Sequence, residues 1–175
     1  LFHRVANTLN YLDIKTVIVS CGTCLDQLEK YEFEKIFPGC RLLDIHEYLL
    51  ERGVVPGDVP GVRYMYHDPC HSPMKVHAPM TVVNALMAAP VALSERCCGE
   101  SGTLATTRPD VSTQVRFRKE EDMRAGAGAL RADGFAGEVK ILTSCPSCLQ
   151  GLSRYDDDAG TRADYIVVEL ARRLL

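Results

Sequence analysis

The chain has 175 residues, 46% of them apolar and 25% charged, with a formal net charge of −3. That is enough chain to bury one core, or one and a half, and without a basic block it carries no electrostatic case for a nucleic-acid partner. Its longest apolar stretch, 78–93, is cut by Pro79 and Pro90 and carries Asn84, too short and broken for a transmembrane segment.

Taken in order, Leu1, Val5, Leu9 and Leu12 recur at helical spacing and predict a helix over 1–12. Thr16 to Ser20 is a β-branched run of buried-strand type, and Cys21-Gly-Thr-Cys24 follows it. Leu25, Leu28, Tyr31 and Ile36 predict a second helix with a frayed end, stopped by Pro38-Gly39. Cys40 comes next as a small core residue, and 42–52 reads as a third helix. The Gly- and Pro-rich run 53–61 is the best linker in the chain.

Beyond it, 62–67 reads as a strand ending in Asp68-Pro69-Cys70-His71. A helix over 80–88 and a short strand over 90–93 lead to Cys97-Cys98-Gly99. A long helix is predicted over 109–130, with Val111, Val115 and Met123 inward. Its Arg116, Arg118, Lys119 and Arg124 alternate with acidic residues as a solvated face. The strand 139–143 runs into Cys145-Pro-Ser-Cys148, where both thiols sit at a helix N-terminus that favours thiolate. Asp156 to Asp158 reads as a solvated loop and 165–175 as the last helix. Strands alternating with helices predict an α/β fold, a Rossmann-like parallel sheet with helices on both faces.

An internal repeat organises the chain. Residues 17–31 (VIVSCGTCLDQLEKY) and 141–155 (ILTSCPSCLQGLSRY) match without a gap. Residues 1–55 therefore read as the C-terminal half of a first cysteine-rich repeat, and 62–175 as a complete second one. The absence of an initiator Met and of a signal peptide reads the same way, as a piece of a longer polypeptide.

Eight cysteines in a chain with long helix and strand patterns point to intracellular metal or redox chemistry rather than a disulfide scaffold. Cys70, Cys97, Cys98, Cys145 and Cys148 all follow predicted strands, whose C-terminal ends share one rim of a parallel sheet. Five thiolates exceed the four that a cubane or structural zinc requires. Cys97 and Cys98, adjacent in an extended segment, reach different irons more readily than one metal, and Gly99 lets backbone approach the inorganic sulfides. Cys21 and Cys24 form at most a half site. His67 and His71 flank Cys70 and read first as capping or hydrogen-bonded histidines, Asp68 as a turn former, and 101–103 as a weak anion-binding helix start.

The DPCH, CCGxxGT and CPxC elements resemble the CCG or cysteine-rich domain family. That family includes the cysteine-rich component of heterodisulfide reductase, the iron–sulfur subunits of glycolate oxidase and anaerobic glycerol-3-phosphate dehydrogenase, lactate-utilisation proteins and FAD-linked oxidase fusions. The resemblance implies that Cys70, Cys97, Cys98, Cys145 and Cys148 bind a [4Fe–4S] cluster, non-cubane in the best-understood relatives. It also implies an electron-transfer module of an FAD- or quinone-linked oxidoreductase acting on a 2-hydroxy acid such as lactate or glycolate. FAD belongs to the parent or to a flavin-containing dehydrogenase partner, and this segment is not expected to turn over alone. The upstream half of the first repeat and a quinone are the other implied partners, with a cytoplasmic site, peripheral at the inner membrane face. Cys70 to Cys97 spans 26 intervening residues and Cys98 to Cys145 spans 46, shorter and longer than the family's usual intervals, which leaves cluster type open. A zinc-binding structural or interaction domain and a dithiol–disulfide (heterodisulfide) reductase component are the alternatives.

Overall fold

The computed structural model describes residues 14–57, 59–100 and 103–174; the helix read over 1–12, Ser101 and Gly102 lie outside them. Two parallel sheets carry the fold. The larger is built from β3 (Val62–His67), β4 (Val91–Leu93), β5 (Glu138–Thr143) and β6 (Arg162–Tyr165), in the order β4-β3-β5-β6. The smaller pairs β1 (Thr16–Val19) with β2 (Arg41–Asp44).

Side-chain alternation divides the large sheet cleanly. Tyr64, Tyr66 and Leu142 face one side, under α4 (Pro79–Met87) and α9 (Ile166–Leu174), where Val82, Leu86, Met87, Ile166 and Leu170 complete a dry core. Met65, Val139 and Ile141 face the other, under α6 (Pro109–Leu130) and α7 (Pro146–Leu152), with Met123, Ala127 and Leu152. A strand buried on both faces reads as a continuous apolar run, which is what β5 shows. Each α-helix of the pair α4 and α6 starts with a proline at its first turn, where no N–H is missed. On this sheet the chain leaves β3 for β4 on one side, then crosses back to β5 and on to β6. The strand order reverses between β3 and β5, the position where open parallel sheets hold their ligands.

In the smaller unit, α1 (Gly22–Lys30) and α2 (Phe33–Ile36) connect β1 to β2, and α3 (Ile45–Glu51) follows. The helix read as frayed is broken at Glu32, which takes a left-handed φ of 52°. The helix expected over 42–52 is shorter: Arg41–Asp44 is a strand, and the Asp44 carboxylate caps α3 by accepting from the His46 and Glu47 N–H groups. The last helix, expected over 165–175, begins at Ile166, and 162–165 before it is strand β6. Asp156–Ala159, read as a loop, forms the short helix α8, and the Asp156 carboxylate accepts from Ala163 N at 2.8 Å. α5 (Leu104–Thr107) is a single turn ahead of α6.

The two units correspond in detail. Val17 lies opposite Leu42 and Ile141 opposite Ala163, so the residue four before each first cysteine meets the second residue of its partner strand. Cys21 and Cys145 both cap their helices in extended conformation, at φ −139° and −132°, and their carbonyls accept from Leu25 N and Leu149 N. The units join along the segment after Cys70. Asp26 pairs with His71 (2.5 Å) and Lys75 (2.9 Å), and Glu47 accepts from Val76 N and His77 N, both at 2.8 Å. The Tyr165 hydroxyl reaches the carbonyls of both Ser20 and Ser144, the two residues preceding the CxxC segments.

Candidate metal centre

Three strand ends deliver the five cysteines. β3 ends at His67 and turns through Asp68, which accepts from the Tyr66 hydroxyl at 2.9 Å, to an exposed Cys70. β4 ends at Leu93, and Ser94 N extends its ladder to Tyr66 O before the chain reaches Cys97 and buried Cys98. β5 leads into Cys145, and Cys148 sits in the first turn of α7. All five line one cavity of about 130 Å³, together with Gly22 and Thr23 from the other unit. Cys98 and Cys148 meet at 3.2 Å, Sγ to Sγ. Cys21 and Cys24 do not line the cavity, and Cys40 is buried elsewhere against the Arg41 carbonyl.

The loop carrying Cys97 and Cys98 is held by residues that the sequence does not single out. Lys119, read as part of a solvated face, is fully buried. Its ammonium donates to Ser94 Oγ (2.6 Å), the Ser94 carbonyl (3.3 Å) and Asp122 (3.1 Å), so it fastens the loop to α6. Glu100 takes Arg116 at 2.9 Å and also Arg154, tying the loop to α6 and to the segment after α7. Gly99 has φ +76°, and its amide donates to Cys97 Sγ at 3.4 Å. A Cβ there would press on the Arg116 side chain, so the glycine serves the turn and its seat on α6.

Thiol electrostatics are uneven. A hydrogen bond from Cys148, then the N–H groups of Cys148 and Ser147 at the helix start, hold Cys145 down to about 6 against burial. Cys98 is also held well below its ordinary value, by Cys148 first and then Cys97. Cys148 is pushed up by its contacts with Cys145 and Cys98, and Cys97 by its contact with Cys98 and by burial. Within the CPSC turn the helix start thus lowers Cys145, while its sulfur neighbours raise Cys148. Metal binding would release the protons these thiols carry, so affinity rises with pH.

Two histidines flank Cys70 differently. His71 is held by Asp26. His67 is 2% exposed, neither ring nitrogen has a hydrogen-bond partner, and a ring nitrogen, Cys98 Sγ and Cys148 Sγ lie within 4.8 Å of one another. Strand alternation could have found it: His67 shares the face of Met65, the side on which α6 and α7 pack.

This geometry belongs with a motif match. The family model described as the cysteine-rich domain, CCG, covers residues 64–153, just over half of the chain. The chain belongs to the CCG cysteine-rich family. The five cysteines of the cavity all fall within the matched region, and a domain of unknown function (DUF3400) matches 153–175. An uncharacterized iron–sulfur protein of Methanococcus maripaludis is 25% identical over 174 residues, covering 92% of this chain and 32% of the relative. Another, of Methanocaldococcus jannaschii, is 27% identical over 143 residues, 79% of this chain and 27% of the relative. One polypeptide of the fumarate reductase (CoM/CoB) of Methanothermobacter marburgensis is 26% identical over 141 residues, 76% of this chain and 26% of the relative. The chain thus spans about a third or less of the length of these relatives. No solved structure matches it. Among the described residues, no helix of this CCG-family chain is long and apolar enough to cross a membrane.

Proposed function

We propose that this chain is an iron–sulfur electron-transfer module in which Cys70, Cys97, Cys98, Cys145 and Cys148 hold one cluster. The observation that carries the reading is the lining of a single cavity at the sheet's switch point by five sulfurs from three strand ends. The donor set fits: soft thiolates select iron–sulfur clusters or zinc, and a fifth sulfur suits a cluster other than the four-ligand cubane. Its relatives in the two methanogens are named as iron–sulfur proteins, which supports the same chemistry. When bound, the cluster supplies one-electron transfer. This chain's residues hold it, exclude water through the buried Cys98 and Cys148, and tune it through the loop that Lys119 and Glu100 fasten.

Residues 1–55 are the back half of a first repeat and 62–175 a complete second. Cys21 and Cys24 then await partners from an upstream half. The parent passes electrons between a flavin-containing dehydrogenase part, with FAD, and an acceptor such as a quinone. A 2-hydroxy acid of the lactate or glycolate type is the substrate that the motif resemblance favours. The test is anaerobic reconstitution with iron and sulfide, followed by metal and sulfide counting and EPR. Bound iron and acid-labile sulfide with a broad visible band support the reading; zinc bound without such a band, and no iron uptake, refutes it.

The setting of Cys145 favours a second reading, a dithiol–disulfide reductase component: the Cys148 contact and the N–H groups at the start of α7 hold this thiol down to about 6. Catalytic thiol–disulfide exchange by metal-free protein, abolished in Cys145→Ser, would support it.

A further inference from the structure

We infer that His67 donates a ring N–H to a ligand sulfur of the Cys98–Cys148 pair and, through it, raises the reduction potential of the centre. The inference rests on the cluster reading above and deepens it. His67 ends β3 in register with Thr143 at the end of β5, so its backbone is fixed by the sheet at the switch point. Its side chain is 2% exposed with both ring nitrogens unpaired. A buried imidazole N–H without a partner costs free energy that a nearby acceptor recovers. The sulfurs of Cys98 and Cys148 are both within 4.8 Å of a ring nitrogen, so a ligand sulfur is the acceptor in reach.

Direct ligation by His67 is the competing role, and the surroundings oppose it. A metal-bound histidine normally has its other ring N–H anchored by a carboxylate, carbonyl or water. The distal nitrogen of His67 has no such anchor. Donation to sulfur leaves only an acceptor lone pair open, the less costly deficit. A hydrogen bond to a cluster thiolate stabilises the electron-rich reduced state, which is why such bonds set potentials.

The experiment uses the full chain reconstituted anaerobically, with iron and sulfide counted before an EPR-monitored redox titration. His67→Leu should keep iron and sulfide while the reduced-to-oxidised ratio at fixed potential falls about tenfold, 59 mV for a one-electron couple. One of the two amide variants, His67→Asn or His67→Gln, which place a donor near Nδ1 or Nε2, should recover at least half of that shift. An unchanged potential in His67→Leu overturns the inference and leaves the cluster reading intact. Wild-type protein that takes up no iron and sulfide overturns both. Should His67→Leu not fold, pulsed EPR of reconstituted His71→Gln protein labelled with 15N-histidine decides. A weak histidine nitrogen coupling supports the hydrogen bond; no coupling, or the strong coupling of a directly bonded nitrogen, refutes it.

Discussion

Gly22 occupies the repeat position that Pro146 fills in the other unit, and the structure gives a reason. A Cβ on Gly22 would land on the His71 carbonyl, well inside van der Waals contact, with Pro73 N just behind. In Gly22→Ala either the CxxC turn or the Cys70 loop must retreat by more than about an ångström. Both sides of the contact are backbone, so no flexible side chain can absorb the move. Overpacking of this kind costs about 1–3 kcal/mol. In a chain of this length each kcal/mol lowers Tm by about 2–4 °C. Thermal unfolding of metal-free Gly22→Ala, followed by circular dichroism, should therefore show a Tm lower by roughly 2–12 °C. Iron retained after reconstitution should fall as well, since Cys70 is on the displaced loop. The control is Gly128→Ala on α6, where a Cβ meets nothing within 4 Å. That change should stabilise by about 0.5–1 kcal/mol through helix propensity alone. Equal Tm shifts for the two variants, or Gly22→Ala with wild-type Tm and iron, would refute the packing of the two units at this point.

Three further outcomes follow from the same geometry. In metal-free protein, Cys145 should be the first thiol alkylated by iodoacetamide, with a rate that rises through pH 6 as the thiolate forms; peptide mapping across pH 5–8 reads it. The buried Glu169 accepts from Lys140 (2.6 Å) and Tyr64 (2.7 Å). Lys140→Met should destabilise in chemical unfolding by less than the about 3–5 kcal/mol of an uncompensated buried charge, because the buried Arg173 still pairs with Glu169 at 3.7 Å, and adding Glu169→Gln should not restore stability, since Arg173 then loses its carboxylate. Burial raises the Glu169 carboxyl, but the bonds from Lys140 and Tyr64 more than offset it and leave the pKa below its ordinary value. Its contribution is therefore present above the unfolded carboxyl pKa and lost as pH falls through the folded one. Acid unfolding of Glu169→Gln should accordingly lose part of its dependence below about pH 4.5.

Much of the fold is legible in the sequence where an element is long and its ends are marked. β3, α6 and β5 have clear apolar runs, and Pro109 starts α6 where predicted. β2 reads as helix and β6 goes unread because each is four residues long and runs into a helix with no glycine or proline between. Asp44, which caps α3, looks like an ordinary polar position inside that helix. The repeat holds the missing signal, since two segments matching at the CxxC must also match in the strand that follows. Lys119 is hidden for another reason: a long charged side chain on a helix is ordinarily solvated, and its burial depends on Ser94 and Asp122 meeting it across the fold. The convergence of the five cysteines is legible because parallel strands share one C-terminal rim. The contribution of Gly22 and Thr23 to the same cavity is not, since it depends on how two units dock.

Cys70, Cys97, Cys98, Cys145 and Cys148 are proposed to hold the cluster without help from the other three thiols. The most direct measurement is the iron and acid-labile sulfide content of reconstituted protein carrying Cys21→Ser, Cys24→Ser and Cys40→Ser together. Content equal to the unsubstituted chain is expected; loss of iron from that triple variant would contradict the five-sulfur site.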